Sequence, residues 1–124
     1  MRDGSQYIDA PRNGARVQRT IPMSGRAPTI PEGHHLYMFL YMGRDFWPKG
    51  EELIPLDGRW TTEVRHGGHD AASFSLGLFE VNSEAHARFQ AWRAEAKRTG
   101  KYPPLRDMSG TVRHSRVSVQ VVPD

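Results

Sequence analysis

One stretch constrains this chain more than any other. Leu36-Tyr37-Met38-Phe39-Leu40-Tyr41-Met42 is its only run of seven apolar or aromatic residues. On a strand, Leu36, Met38, Leu40 and Met42 share one face, and Tyr37, Phe39 and Tyr41 share the other. A strand that is apolar on both faces must be covered on both. The expectation is a central sandwich strand with a second sheet on one face and a helix on the other.

The covering helix is legible further on. Ala85, Phe89, Trp92 and Ala96 recur at helical spacing, giving one apolar stripe over about 84–99. Asn82 or Ser83 serves as N-cap, Glu84 suits the first turn, and Gly100 follows Lys97 and Arg98 as the stop. Glu84 and Arg88 form an i,i+4 pair. Arg93, Lys97 and Lys101 make a basic ridge, read as a solvated face.

Elsewhere the period is two. Tyr7–Ala10 opens as a short strand before the Pro11-Arg12-Asn13-Gly14 turn. Val17, Arg19, Ile21 and Met23 then alternate along an edge-type strand marked by Pro22, which cannot donate to a ladder. Asp57-Gly58 is a hairpin turn, followed by a strand with Trp60, Thr62 and Val64 inward. Ser73–Val81 sets Phe74, Leu76 and Leu78 against Phe79 and Val81. Val112 opens a last strand, with Val117, Val119 and Val121 inward. The 12 Gly and 9 Pro of the 124 residues suit many short strands. Residues 1–6 read as a flexible terminus and 7–124 as a single domain.

Two segments carry a family resemblance. Pro11-Arg-Asn-Gly14 with Val17 precedes Met23-Ser-Gly25, Pro31-Glu-Gly33 and the apolar strand. Asp57-Gly-Arg-Trp60 leads a strand that ends in Gly67-Gly68. Over roughly residues 7–81 the chain resembles bacterial immunoglobulin-like β-sandwich modules. The resemblance implies binding, spacing or assembly rather than catalysis. The long helix and the Tyr102-Pro103-Pro104 return depart from ordinary modules of that kind. The expected fold is mostly β: an immunoglobulin-like sandwich with one helix inserted before the last strand.

Chemistry is sparsely signalled. With no cysteine, disulfides, thiolate metal sites and a cysteine nucleophile are excluded. His66-Gly-Gly-His69-Asp70 gathers three potential ligands in one loop, and His34-His35 is a second pair, but the spacing fits no established zinc motif. His86 and His114 read as lone surface residues. The acids fall at turns or, as Glu51-Glu52, on opposite sides of an extended chain, and no serine lies in a nucleophile elbow. No metal site or other cofactor is therefore expected, and the chain reads as non-enzymatic.

The binding signal is aromatic. Phe46-Trp47-Pro48-Lys49-Gly50 reads as an aromatic loop, where rings are less easily buried. Tyr37, Phe39 and Tyr41 read instead as a small second core under Phe89 and Trp92. The expected contact surface comprises Phe46, Trp47, Lys49, His66, His69, Asp70 and Tyr102. The leading expectation is recognition of another protein; the alternatives are a carbohydrate or small ligand, or a metal-dependent enzyme using His66, His69 and Asp70. The formal charge of +3 is mild and the basic residues are scattered among acidic ones, so nucleic acid is not the expected partner. A homo-oligomer through a sheet edge is open to such a fold. No span is long enough to cross a membrane. No apolar signal segment follows Met1, so the expected location is cytoplasmic, unless the sequence is a domain of a larger protein.

Overall fold

The computed structural model describes residues 7–27, 29–67 and 72–122. The terminus 1–6, and His69 and Asp70 of the expected surface, lie outside the described residues.

In chain order the elements are β1 (Ile8–Ala10), β2 (Ala15–Val17), β3 (Thr20–Arg26), β4 (His35–Met42), β5 (Asp45–Pro48), β6 (Arg59–Arg65), β7 (Ala72–Val81), α1 (Ser83–Thr99) and β8 (Thr111–Val121). They form a three-stranded sheet, β1-β3-β6, and a five-stranded sheet, β2-β8-β7-β4-β5. All pairings are antiparallel except the parallel contact of β2 with β8. Among the described residues the protein is mostly β, with two facing sheets and one helix.

The apolar run is β4, lying between β7 and β5, with Leu36 through Tyr41 all buried. Leu36, Met38 and Leu40 join Ile21, Trp60 and Val64 of the small sheet in the main core. Tyr37, Phe39 and Tyr41 face the other way, into a second core with Phe79, Ala85 and Phe89. The rings there meet mostly edge-on: Phe39 and Phe89 are 5.0 Å apart at 71°, the arrangement that aromatic quadrupoles favour. Gly77 on β7 makes room for them, since a Cβ there would lie 2.7 Å from Phe79 Cε1 and 3.0 Å from Tyr41 Cε1.

The helix begins and ends as its caps dictate. The Asn82 side chain accepts from Ala85 N at 2.9 Å, and Gly100 at φ 73° donates its N–H to the Ala96 carbonyl. Of the expected stripe, Ala85, Phe89 and Ala96 are buried, while Trp92 is only half-buried and stands outside the second core. Arg88 does not pair with Glu84. Its guanidinium donates to the carbonyls of Ser109 at 2.7 Å and Asp107 at 3.2 Å, which ties the helix to the strap before β8.

Three local expectations need correction. The alternation from Val17 to Met23 is not one strand: it breaks at Gln18-Arg19, and its halves enter different sheets. Pro22 lies on the middle strand of the small sheet, yet β1 reaches only Gly25 and Ser24 of β3, so its missing N–H costs no ladder bond on that side. Residues 45–48 form strand β5, paired with β4, and not a loop.

Candidate functional site

β5, the end of β6, the last turns of α1 and the Tyr102 return enclose a cleft of about 700 Å³. Four of the seven residues singled out in the sequence line it: Trp47, Lys49, His66 and Tyr102. Phe46 does not. Neighbours on a strand point to opposite faces, and Phe46 packs into the second core, stacked 4.8 Å from Tyr41 at 23°.

The walls are aromatic. Trp47 Nε1 donates to the Tyr102 carbonyl at 3.0 Å. Trp92 Nε1 donates to the Pro103 carbonyl at 2.9 Å, and its ring lies 6.2 Å from that of Tyr102. Both indole N–H groups are thus committed to the 102–103 backbone. Leu40, Val64 and Ala96, all buried, and the exposed Met42 add apolar lining. Phe46 and Leu105 exchange backbone hydrogen bonds at 2.9 and 2.8 Å, which fixes the return against β5.

The rim is basic. Among the described residues, Lys49, Arg65, Arg93 and Lys97 line the cleft with one acid, Glu63. The ridge expected to be a solvated face therefore contributes two of its three cations to the cleft. Lys49 Nζ donates to the Arg65 carbonyl at 3.2 Å, and burial pushes its ammonium below the ordinary lysine range. Burial, then the charges of Lys49 and Arg19, push the His66 imidazole below its ordinary value. The cleft thus disfavours added positive charge and stands to gain from an anion.

Sequence reading missed Trp92 as a wall, because a half-buried ring at stripe spacing is indistinguishable from a core ring. It read Arg93 and Lys97 as a solvated face; Lys97 is exposed, as that reading has it, but both also line the cleft. Their relation to Trp47 depends on where the helix ends over the sheet, which no local pattern encodes.

The histidines at the opposite end of the five-stranded sheet are not lone. Glu80 bonds His114 Nε2 at 2.8 Å and His34 Nδ1 at 2.5 Å. His114 occupies a bulge, where Leu78 pairs with Ser115 and Phe79 with Arg113, and a bulge re-aims a side chain. His86 stacks on His35 with ring centroids 3.6 Å apart. Asp57, at φ 54°, serves its turn as expected. Among the described residues no helix is long and apolar enough to cross a membrane.

No protein-family model, curated protein or solved structure matches the chain.

Proposed function

We propose that the chain is a non-enzymatic binding module that takes an acidic segment of a partner protein, anchored by an apolar or aromatic side chain, into the Trp47–Trp92–Tyr102 cleft. The carrying observation is the composition of that cleft among the described residues: three aromatic residues and an apolar lining with four cations and one acid. Aromatic anchors in pockets carry most of the energy of such contacts, and rim charges set their specificity and encounter rate.

The module is, in this reading, immunoglobulin-like. β1, β3 and β6 take the places of strands A, B and E, and β8, β7, β4 and β5 those of G, F, C and C′. The helix then replaces the F–G loop. That loop is a binding loop in variable domains, and here its C-terminal half walls the cleft.

A second reading is a small anionic ligand or acidic sugar, favoured by the cleft volume, which lies within the range typical of small-molecule sites. Peptide display against the wild-type chain, with an anionic-glycan array in parallel, separates the two. Enrichment of acidic peptides with an apolar anchor, lost in the Arg93→Glu/Lys97→Glu variant, supports the partner-protein reading. Signal confined to the glycan array transfers the cleft to the second reading, and silence on both removes it as a binding site.

A further inference from the structure

A second group of functional side chains lies away from the cleft. β4 supplies His35, the segment after β5 supplies Glu52, and the first turn of α1 supplies His86. One potential ligand atom from each lies within 4.8 Å of the other two. His35 Nδ1 is 2.5 Å from Glu52 Oε2. The rings of His35 and His86 are nearly parallel, at 11°, with centroids 3.6 Å apart. All three residues are half-buried.

The arrangement follows from two periodicities. His35 and Tyr37 share a face of the strand at i,i+2, and His86 and Gln90 share a face of the helix at i,i+4. Docking Phe89 onto Tyr37 and Phe39 therefore brings both pairs together. Behind the histidines, the fully buried Tyr37 holds His86. Its hydroxyl lies 2.8 Å from His86 Nδ1 and accepts from Gln90 Nε2 at 2.7 Å. In the tautomer that donates Nδ1–H to the Tyr37 hydroxyl, His86 Nε2 is left for a ligand, which is how metal-binding histidines are oriented from behind. Leu53 fixes Glu52 from its own side, since Leu53 N donates to the Leu36 carbonyl at 2.8 Å.

We propose that His35, Glu52 and His86 bind a divalent transition-metal ion, zinc by preference. Two imidazoles and one carboxylate are the ligand types of three-protein-ligand zinc sites, which keep a further position open. The rings are nearly parallel, so their in-plane lone pairs do not converge on one point, and capture of the ion requires the rings to tilt apart and the His35–Glu52 contact to open around it. The site does not depend on the cleft, and Lys97→Glu leaves it intact.

The test uses untagged, metal-stripped protein titrated with Co²⁺ and followed by visible absorption, then back-titrated with Zn²⁺. The account expects one equivalent of Co²⁺ with ligand-field bands of low-symmetry coordination, displaced by one equivalent of Zn²⁺, and a Zn²⁺-dependent rise in Tm. Glu52→Gln and His86→Gln each weaken binding at least about tenfold, while His114→Gln leaves it unchanged. Near-UV circular dichroism verifies folding, and if one ligand variant fails to fold the other decides. Folded wild-type protein without Co²⁺ bands, or bands that persist in a folded His86→Gln or Glu52→Gln variant, overturns the proposal.

Discussion

Trp47 Nε1 donates to the backbone carbonyl of Tyr102 at 3.0 Å, across 55 positions of sequence. That bond joins a strand residue to the return that follows the helix. It gives the cleft a wall from each, and it makes Trp47 structural as well as accessible. Trp47 also packs against the main core. Trp47→Ala is therefore expected to lose partner binding and to destabilise the fold by about 2 kcal/mol, less than a fully buried tryptophan would cost. Urea denaturation measures the second effect; an unchanged midpoint would show the ring to be surface only.

The pH behaviour of the cleft follows from its crowded cations. His66 titrates below the ordinary histidine range because of burial and the nearby Lys49 and Arg19. For a base held low in the folded state, its contribution to stability is present above the unfolded pKa. It is lost as pH falls through the window between the unfolded and folded values. A bound anion raises the His66 pKa, so binding takes up protons and tightens as pH falls through that window. Two-dimensional NMR of the His66 ring, with and without an acidic peptide, reads both values. A free-state value at or above that of model histidine contradicts the account.

Glu80 responds to acid in the same direction for a different reason. Burial alone would raise its carboxyl, but hydrogen bonds from His114 and His34, with their charges, outweigh burial and hold it below the ordinary range. Its contribution is present above the unfolded pKa and is lost as pH falls through the folded one. Glu80→Gln is expected to lower stability at neutral pH and to flatten its fall in acid, measured as urea midpoints across that range.

The helix is held by one ring above all. Phe89 is fully buried against Tyr37 and Phe39, so Phe89→Ala is expected to cost about 3–5 kcal/mol. Phe89→Leu should recover most of it. Equal loss in both variants would point to the ring contacts rather than to the volume.

Gly25 tests the small sheet. A Cβ there would lie 1.8 Å from the Tyr7 carbonyl oxygen and 2.6 Å from Trp60 Cζ2. Trp60 cannot easily yield, because its Nε1 donates to the Arg26 carbonyl at 3.1 Å. Gly25→Ala is expected to cost about 3 kcal/mol, and a change within error in Tm would show that β1 is free to separate from β3.

Much of this was legible in local patterns. The two-faced run at Leu36–Met42 called for two covers, and the main core and the helix supply them. Asn82, Gly100 and the Asp57-Gly58 turn were readable because caps and turns are local chemistry. What was not legible depends on register. Phe46 and Trp47 are neighbours on one strand, and only the pairing of β5 with β4 decides that Phe46 goes to the core and Trp47 to the cleft. His35 and His86 lie 51 positions apart in sequence, and only the docking angle of the helix brings their rings into contact. Arg88 took backbone carbonyls over Glu84 because the 107–109 strap passes beside it.

The most direct measurement is the affinity of an acidic peptide with one aromatic anchor, followed through the fluorescence of Trp47 and Trp92, for wild type and for Arg93→Glu/Lys97→Glu. The account predicts saturable binding that weakens with added salt, at least about a tenfold loss in the variant, worth 1.4 kcal/mol, and a folded variant whose Tm falls by no more than the few degrees that reversed charges near a helix C-terminus cost. Equal affinity in both proteins, or none in either at neutral or mildly acidic pH, would contradict the cleft as the recognition surface.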